Sequence, residues 1–166
     1  KGGHRAGICG TAVINDGKIT ALRDITSINL RIARDIPGAA DEVLNRAFQN
    51  PWSGVLIAGP PASGKTTILR DLARQLSSGK TGRYLRVAVI DERGELGAVF
   101  EGIPQNDLGP CCDILSGYPK GEGILMAVRT LSPQVVICDE IGSSEEVNSM
   151  LDGLHSGVRR VVSAHA

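Results

Sequence analysis

A short glycine-rich segment carries the residues with the clearest chemistry in the sequence. Gly59-Pro60-Pro61-Ala62-Ser63-Gly64-Lys65-Thr66 fits the pattern GxxxxGK[ST] at every fixed position, and Thr67 follows it. The glycines let the backbone wrap closely around an anion, so that several N–H groups converge on phosphate oxygens. Lys65 adds a mobile positive charge for the β- and γ-phosphates, and the hydroxyl of Thr66 is a suitable ligand for Mg²⁺. The segment therefore predicts a nucleotide-binding loop.

The elements on either side of this loop are those that would position it. Gly54–Ala58 is an apolar run of strand length, and Lys65–Leu76 has apolar residues at helical spacing. A helix that begins at the loop directs the positive end of its dipole towards the bound anion. The order strand, loop, helix is the context that this motif requires.

A second apolar strand ends in two carboxylates. Val135–Cys138 runs directly into Asp139 and Glu140. Such a strand would deliver Asp139 to the edge of the sheet, where it can hold Mg²⁺ through water, and Glu140 can orient or deprotonate an attacking water. We therefore predict a metal-assisted hydrolytic site.

Two further strands end in polar groups. Val87–Ile90 is followed by Asp91 and Glu92, and the strand at 158–164 leads through Ser163 to His165. Ligands of open α/β sheets bind outside the carboxyl ends of the strands, so both ends should face the same cleft. Asp91 or Glu92 could assist the water or the metal, and Ser163 or His165 could contact the γ-phosphate.

The remaining elements complete an α/β pattern. Residues 5–32 are β-rich, with a hairpin turn at Asn15-Asp16-Gly17-Lys18, and Pro37-Gly38 marks a junction. We predict helices at 40–49, 123–131 and 144–155, and a loop-rich stretch at 94–120. Alternating strands and helices indicate a mostly parallel sheet flanked by helices. The expected division is a partial β-rich N-terminal domain (1–35) and a nucleotide-binding domain (36–166).

The composition excludes several classes of protein. The 166 residues hold 18 basic and 18 acidic side chains, 42% are hydrophobic and 3% are aromatic. This hydrophobic share is too high for a disordered chain, and no apolar run approaches the roughly 18 residues of a membrane span. Zero net charge and few aromatics make nucleic acid an unlikely partner. The four cysteines lack CxxC spacing, which disfavours a metal or redox site and favours the cytoplasm.

Four segments together carry a family resemblance. GPPASGKTT, VIDERGEL, RTLSPQVVICDEIG and VVSAHA resemble the stage III sporulation AA family, which is similar to the ATPases of type II and type IV secretion and pilus systems. The resemblance implies a RecA-like P-loop ATPase core. It assigns Gly59–Thr67 to Walker A, Asp139 and Glu140 to Walker B, and Asp91, Glu92 and Glu95 to an acidic box. It further assigns His165 to a histidine box and Arg129 to the arginine that precedes the Walker B strand.

The resemblance also implies partners and a location. It implies a hexameric ring of identical subunits that serves a secretion channel during bacterial sporulation, in the cytoplasm and peripheral to the membrane on the mother-cell side. One departure is that this chain has Ile141-Gly142 where secretion enzymes often carry an arginine after the Walker B residues.

The favoured function is Mg²⁺-dependent hydrolysis of ATP that energises a transport apparatus. The absence of an NKxD base-reading motif favours ATP over GTP. Arg31, Arg34 and Arg93 are candidate donors of an arginine finger that a neighbouring subunit would supply, and the sequence does not choose among them. It also leaves open which of Asp91, Glu92 and Glu140 activates water. Two alternatives remain: an ATP-binding ring scaffold with little turnover, and a nucleic-acid-associated P-loop ATPase.

Overall fold

The computed structural model describes residues 4–32, 34–48, 54–142, 146 and 157–165. Within these ranges the elements follow in the order β1 (Arg5–Asn15), β2 (Lys18–Arg31), α1 (Asp41–Ala47), β3 (Val55–Gly59), α2 (Lys65–Ser77), β4 (Val87–Asp91), β5 (Cys112–Ser116), α3 (Lys120–Thr130), β6 (Val135–Cys138) and β7 (Arg159–His165).

The central sheet has five strands in the order β3-β7-β6-β4-β5, and every neighbouring pair is parallel. This confirms the predicted parallel α/β fold. Because the strands are parallel, their carboxyl ends meet at one edge of the sheet. Gly59 of β3 lies opposite His165 of β7, and Cys138 of β6 lies opposite Val162 of β7. The predicted phosphate loop (residues 59–66) and the segment after β6 therefore emerge at the same edge, on either side of β7.

Helices cover both faces of this sheet. On one face, α2 buries Leu69, Leu72 and Leu76 against valines of β4 and β6. On the other face, Ile124 and Ala127 of α3 belong to a second buried cluster. Each large side chain removed from water contributes about 1.5–3 kcal/mol to the stability of the sheet-and-helix layers. Packing on both faces fixes the sheet edge that carries the candidate site.

A buried polar cluster joins α1 to α2. The Asp71 carboxylate accepts hydrogen bonds from the Ala40 N–H at 2.9 Å and from Gln75 Nε2 at 2.6 Å, and it also pairs with Arg74. Burial favours the neutral carboxyl, but these hydrogen bonds outweigh it and lower the pKa of Asp71. The ionised Asp71 thus anchors the start of α1 on the helix that follows the phosphate loop.

The N-terminal hairpin is confirmed. Strands β1 and β2 are antiparallel, and Asp16 and Gly17 at the turn have φ angles of 48° and 73°, as a two-residue hairpin turn requires. Most hairpin side chains are exposed, and Arg5 pairs with Glu95 at 2.5 Å. This pair connects the base of the hairpin to the loop after β4. The division into two domains at residue 35 stays a prediction.

One strand of the sheet was absent from the expected element pattern. The stretch 94–120, predicted to be loop-rich, contains β5 at the edge of the sheet, where it pairs with β4. Only Leu115 of this strand is fully buried, so its sequence lacks the apolar run that marks the inner strands. The predicted helix at 144–155 lies outside the described residues, apart from Glu146. Within the described part of the chain, no helix is long and apolar enough to cross a membrane.

Candidate nucleotide-binding and hydrolysis site

The phosphate loop has a backbone shape suited to an anion. Ala62 and Gly64 have φ angles of 61° and 92°, whereas their neighbours do not have positive φ. Alternation of this kind turns successive N–H groups towards one concave surface. A Cβ at Gly59 would lie 2.9 Å from the Ser63 hydroxyl, so a side chain there would push the loop open. The glycines of the motif are therefore required by this geometry.

Lys65 begins α2 and lies over the loop. Its Nζ donates hydrogen bonds to the carbonyl oxygens of Gly59 and Pro60, each at 2.8 Å, and the residue is 7% exposed. The ammonium is thus held within the concave surface formed by the loop N–H groups. A phosphate bound there would meet the lysine charge and the helix N-terminus together.

Asp139 follows β6 and is buried with an unsatisfied carboxylate. It is 2% exposed, and its Oδ1 accepts no hydrogen bond within the described part of the chain. Burial raises the pKa of Asp139 from its ordinary value of 3.8 to about 6, and the neighbouring Lys120 offsets part of this rise. A hard cation such as Mg²⁺ takes oxygen ligands, so this oxygen fits the predicted metal role. Since one strand separates β3 from β6, the phosphate loop and Asp139 lie about 10 Å apart along the sheet edge.

Replacing Asp139 by asparagine is expected to stabilise the protein at neutral pH, because burial of its charge is removed while Glu92 and the Glu140 carbonyl still hold Lys120. The folded-state pKa lies above the unfolded value, so the folded chain binds more protons between pH 3.8 and about 6. The contribution of Asp139 to stability therefore falls as pH rises through this window, and its full cost is present above pH 6. In thermal melts with EDTA, Asp139→Asn should raise Tm by about 3–6 °C at pH 7.5, and the difference should shrink towards pH 4.

The matched control is Asp113→Asn on the exposed position of β5, which should leave Tm unchanged at either pH. A lower Tm of Asp139→Asn across the whole pH range would contradict the prediction.

Glu140 occupies a strained turn that three contacts hold in place. Its φ is 26°, in a region that residues other than glycine rarely adopt. Its N–H donates to the Ser163 hydroxyl at 2.9 Å, and its carbonyl accepts from Lys120 Nζ at 2.5 Å. Its carboxylate pairs with Arg93, and this contact raises the pKa of Arg93. Glu140 is therefore fixed at the same sheet edge as Asp139.

Asp91 and Glu92, the second acidic pair, also lie at this edge of the sheet, but their environments differ. Asp91 is fully buried, and its carboxylate accepts the N–H groups of Glu95 at 2.8 Å, Leu96 at 3.0 Å and Gly97 at 2.8 Å. Glu92 is partly exposed, with Oε2 at 3.6 Å from Lys120 Nζ. Asp91 thus organises the loop after β4, and Glu92 is the member of the pair that lies at the rim.

Replacing Asp91 by alanine is expected to destabilise the fold. Three N–H groups, two of them in buried hydrogen bonds, would lose their acceptor, and each unsatisfied buried donor costs about 1–3 kcal/mol. A loss of this size should lower Tm by about 10 °C in a domain of this length, as measured by calorimetry. Asp113→Ala, on the neighbouring strand, is the control. An unchanged Tm for Asp91→Ala would show that the three hydrogen bonds do not hold the loop.

The two other predicted site residues, His165 and Arg129, lie in different parts of the structure. The backbone of His165 lies beside Gly59, next to the phosphate loop, and its side chain is outside the described set. Arg129 is exposed in the last turn of α3. Lys120, at the start of α3, reaches Glu140, so Arg129 lies about 14 Å further along the helix. The structure therefore does not bring Arg129 to the acidic cluster.

A basic cleft of about 390 Å³ lies beside the start of α2. The hydroxyl residues Thr66 and Thr67 line it together with Glu95. Its basic lining consists of His4, Arg5, Arg31, Arg34, Arg70 and Arg93. Arg31, Arg34 and Arg93, the candidate donors of an arginine finger, thus line a cleft beside α2 of their own chain. The excess of positive charge in this cleft suits an anionic ligand.

Residues 1–166 match the sequence profile of the family described as sporulation stage III, protein AA. The chain belongs to this family. It is 46% identical over 166 residues to stage III sporulation protein AA of Bacillus subtilis (strain 168), covering 99% of this chain and 54% of that protein. The chain thus spans about half the length of this relative.

Solved structures share the fold of this sporulation stage III protein AA family member. The ATPase DotB of Legionella pneumophila superposes with a TM-score of 0.65 at 19% identity, covering 98% of this chain and 42% of DotB. The pilus retraction motor PilT, solved with bound ADP, superposes with a TM-score of 0.56 at 15% identity, covering 99% of this chain and 48% of PilT. These likenesses confirm the predicted ATPase-type fold with its N-terminal hairpin.

Sequence reasoning missed one residue of this family member's site. Lys120 is 4% exposed and lies among Glu92, Asp139 and Glu140, yet no motif includes it. A weak signal was available, because a lysine in the first turn of a helix opposes the helix dipole and needs a nearby anion.

Proposed function

We propose that this sporulation stage III protein AA family member binds Mg²⁺-ATP and hydrolyses it. The observation that carries the proposal is the buried Asp139 Oδ1, which accepts no hydrogen bond from the described residues and lies on the sheet edge where the phosphate loop also ends. An unsatisfied buried carboxylate costs stability, and such a cost is typical of functional sites. The relatives named as ATPases have the same fold, which is consistent with the proposal.

In this proposal, different residues of the chain bind the phosphate oxygens of ATP and hold the Mg²⁺ ion. The N–H groups of residues 59–67 and the Lys65 ammonium bind the phosphate oxygens, and the helix dipole of α2 adds to their attraction. Thr66 and Asp139 would hold Mg²⁺, which supplies neutralisation of the phosphate charge when it is bound. Most of the catalytic effect then comes from positioning and electrostatics.

Glu140 is the favoured residue for orienting the attacking water. Its backbone is tethered on both sides, and its carboxylate lies at the open edge next to Asp139. Glu92 is the second candidate because it is exposed at the same rim. We assign Asp91 a supporting role, since the hydrogen bonds of its carboxylate hold the loop that carries Glu95.

Arginine and histidine side chains complete the proposed site. Arg31, Arg34 and Arg93 line the cleft beside Thr66, so they can stabilise the charge of the γ-phosphate from within the same chain. His165 is proposed as a reporter of the γ-phosphate because β7 places it beside Gly59. Arg129 would act on another subunit, because it is exposed in the last turn of α3, about 14 Å along the helix from Lys120.

The biological setting follows from the named relatives. The similarity to stage III sporulation protein AA and the fold shared with the pilus retraction motor PilT lead us to propose a ring of identical subunits, hexameric by resemblance, that energises a membrane channel. The protein would act in the cytoplasm, peripheral to the membrane.

The experiment is a phosphate-release assay on the chain with ATP and Mg²⁺, with EDTA as the blank. We expect turnover that requires Mg²⁺, and an increase in size on light scattering with a non-hydrolysable ATP analogue. Assembly without phosphate release would favour the scaffold function instead. Stimulation by single-stranded DNA that disappears with added salt would favour the nucleic-acid-associated ATPase.

A further inference from the structure

Lys120 is a buried cation whose position needs an explanation. It is the first residue of α3, follows Pro119, and is 4% exposed. A buried ammonium is unfavourable unless it is paired and hydrogen-bonded. The first turn of a helix adds a further unfavourable interaction with the helix dipole. Surrounding oxygens must therefore offset both the cost of burying the ammonium and its unfavourable interaction with the helix dipole.

The surrounding oxygens all belong to the acidic edge of the sheet. Lys120 Nζ donates to the Glu140 carbonyl at 2.5 Å. It lies 3.6 Å from Glu92 Oε2 and 3.8 Å from Asp139 Oδ1, the oxygen that accepts no hydrogen bond. One cation thus lies among three of the acidic residues that the proposed reaction uses.

We propose that Lys120 is a positioning residue that fixes the Glu140 turn and supplies the counter-charge for Asp139 and Glu92. The positioning role rests on the proposed ATPase function, because it is measured through turnover. The role as counter-charge does not depend on that function. The ammonium side chain is only 3% exposed, so Lys120 acts through the carboxylates and not by contact with substrate.

Lys120 influences the conformation of the Glu140 backbone through its hydrogen bond to the Glu140 carbonyl. The peptide of Glu140 has a left-handed φ, and it is tethered to Ser163 through the N–H and to Lys120 through the carbonyl. Loss of the second tether frees this peptide to relax to an ordinary conformation, which would move the Glu140 carboxylate. A displacement of about 1 Å at a catalytic group can reduce turnover by about 10²-fold.

The first test is a double-mutant cycle in thermal melts with EDTA and without nucleotide. Lys120→Met should lower Tm by about 5 °C, because it leaves Asp139 without its counter-charge. In the Asp139→Asn background the same change should cost less than half as much. Lys80→Met, on an exposed lysine after α2, is the control and should not change Tm. An equal loss of Tm in both backgrounds would overturn the proposal that Lys120 supplies the counter-charge for Asp139. Should Lys120→Met fail to fold, Lys120→Gln enters the same cycle with the same criterion.

The second test separates positioning from binding. With the wild-type chain active, Lys120→Met should lower kcat by about 10- to 100-fold and leave KM for Mg²⁺-ATP within about twofold. A raised KM with unchanged kcat would overturn the positioning role. A wild-type chain that shows no turnover would refute the proposed function, and the thermal cycle would still decide whether Lys120 supplies the counter-charge.

Discussion

Lys65→Ala is expected to lower ATP turnover at least about 100-fold and to weaken nucleotide binding at least about tenfold. The ammonium is the one side-chain cation held inside the phosphate loop among the described residues, by the carbonyls of Gly59 and Pro60. A preorganised charge aimed at a transferring phosphate is worth about 3–4 kcal/mol in the transition state. Phosphate release and titration calorimetry with a non-hydrolysable analogue measure the two effects.

Lys80→Ala is the matched control for this prediction. Lys80 lies beyond the other end of α2 and is exposed, so its removal tests the loss of a positive charge alone. Circular dichroism should show the fold retained in both variants. Wild-type turnover by Lys65→Ala would rule out the phosphate loop as the site of hydrolysis.

Glu140→Gln is expected to separate binding from hydrolysis. The amide keeps the shape of the side chain but cannot accept a proton from water, so turnover should fall by about 10²- to 10⁴-fold. Affinity for Mg²⁺-ATP should stay within about threefold, because the phosphate loop and Asp139 are unchanged. Single-turnover phosphate release, with binding measured in parallel, gives both values.

Glu122→Gln, an exposed glutamate in the first turn of α3, is the control for Glu140→Gln. Glu92→Gln is the informative comparison, because Glu92 lies at the same rim. If Glu92→Gln abolished turnover while Glu140→Gln remained active, the role of orienting water would belong to Glu92.

The inner strands and the phosphate loop were predictable because their signals are local. The apolar runs that became β4 and β6 have no competing pattern, and every residue of both strands is buried. The loop motif specifies its own flanking strand and helix. The edge strand β5 was missed because a strand with one neighbour needs few apolar residues, and glycines and prolines surround it.

The division of roles among the acids was not predictable from the pattern. Asp91 and Asp139 both follow four apolar residues and both precede a glutamate. Their difference comes from the backbone that follows each strand. The N–H groups of residues 95–97 turn back onto Asp91, whereas Oδ1 of Asp139 receives no hydrogen bond from the residues that the structure describes. Such differences depend on the path of the backbone after the strand, which short motifs do not encode.

Long-range contacts explain why Lys120 was missed. Lys120 acquires its surroundings only when α3 packs against β4 and β6, so its role depends on residues from three segments. The role that the resemblance assigns to Arg129 stays a prediction, and the length of α3 places this residue about 14 Å from Lys120 along the helix.

The position of β7 has a consequence for the synthesis of the protein. Among the described strands, β3 pairs with β7 alone, and β7 is the last of them along the chain. A nascent chain therefore exposes its phosphate loop long before the strand that docks it against Asp139 and Glu140 has left the ribosome. We expect unfinished chains to be incapable of consuming ATP.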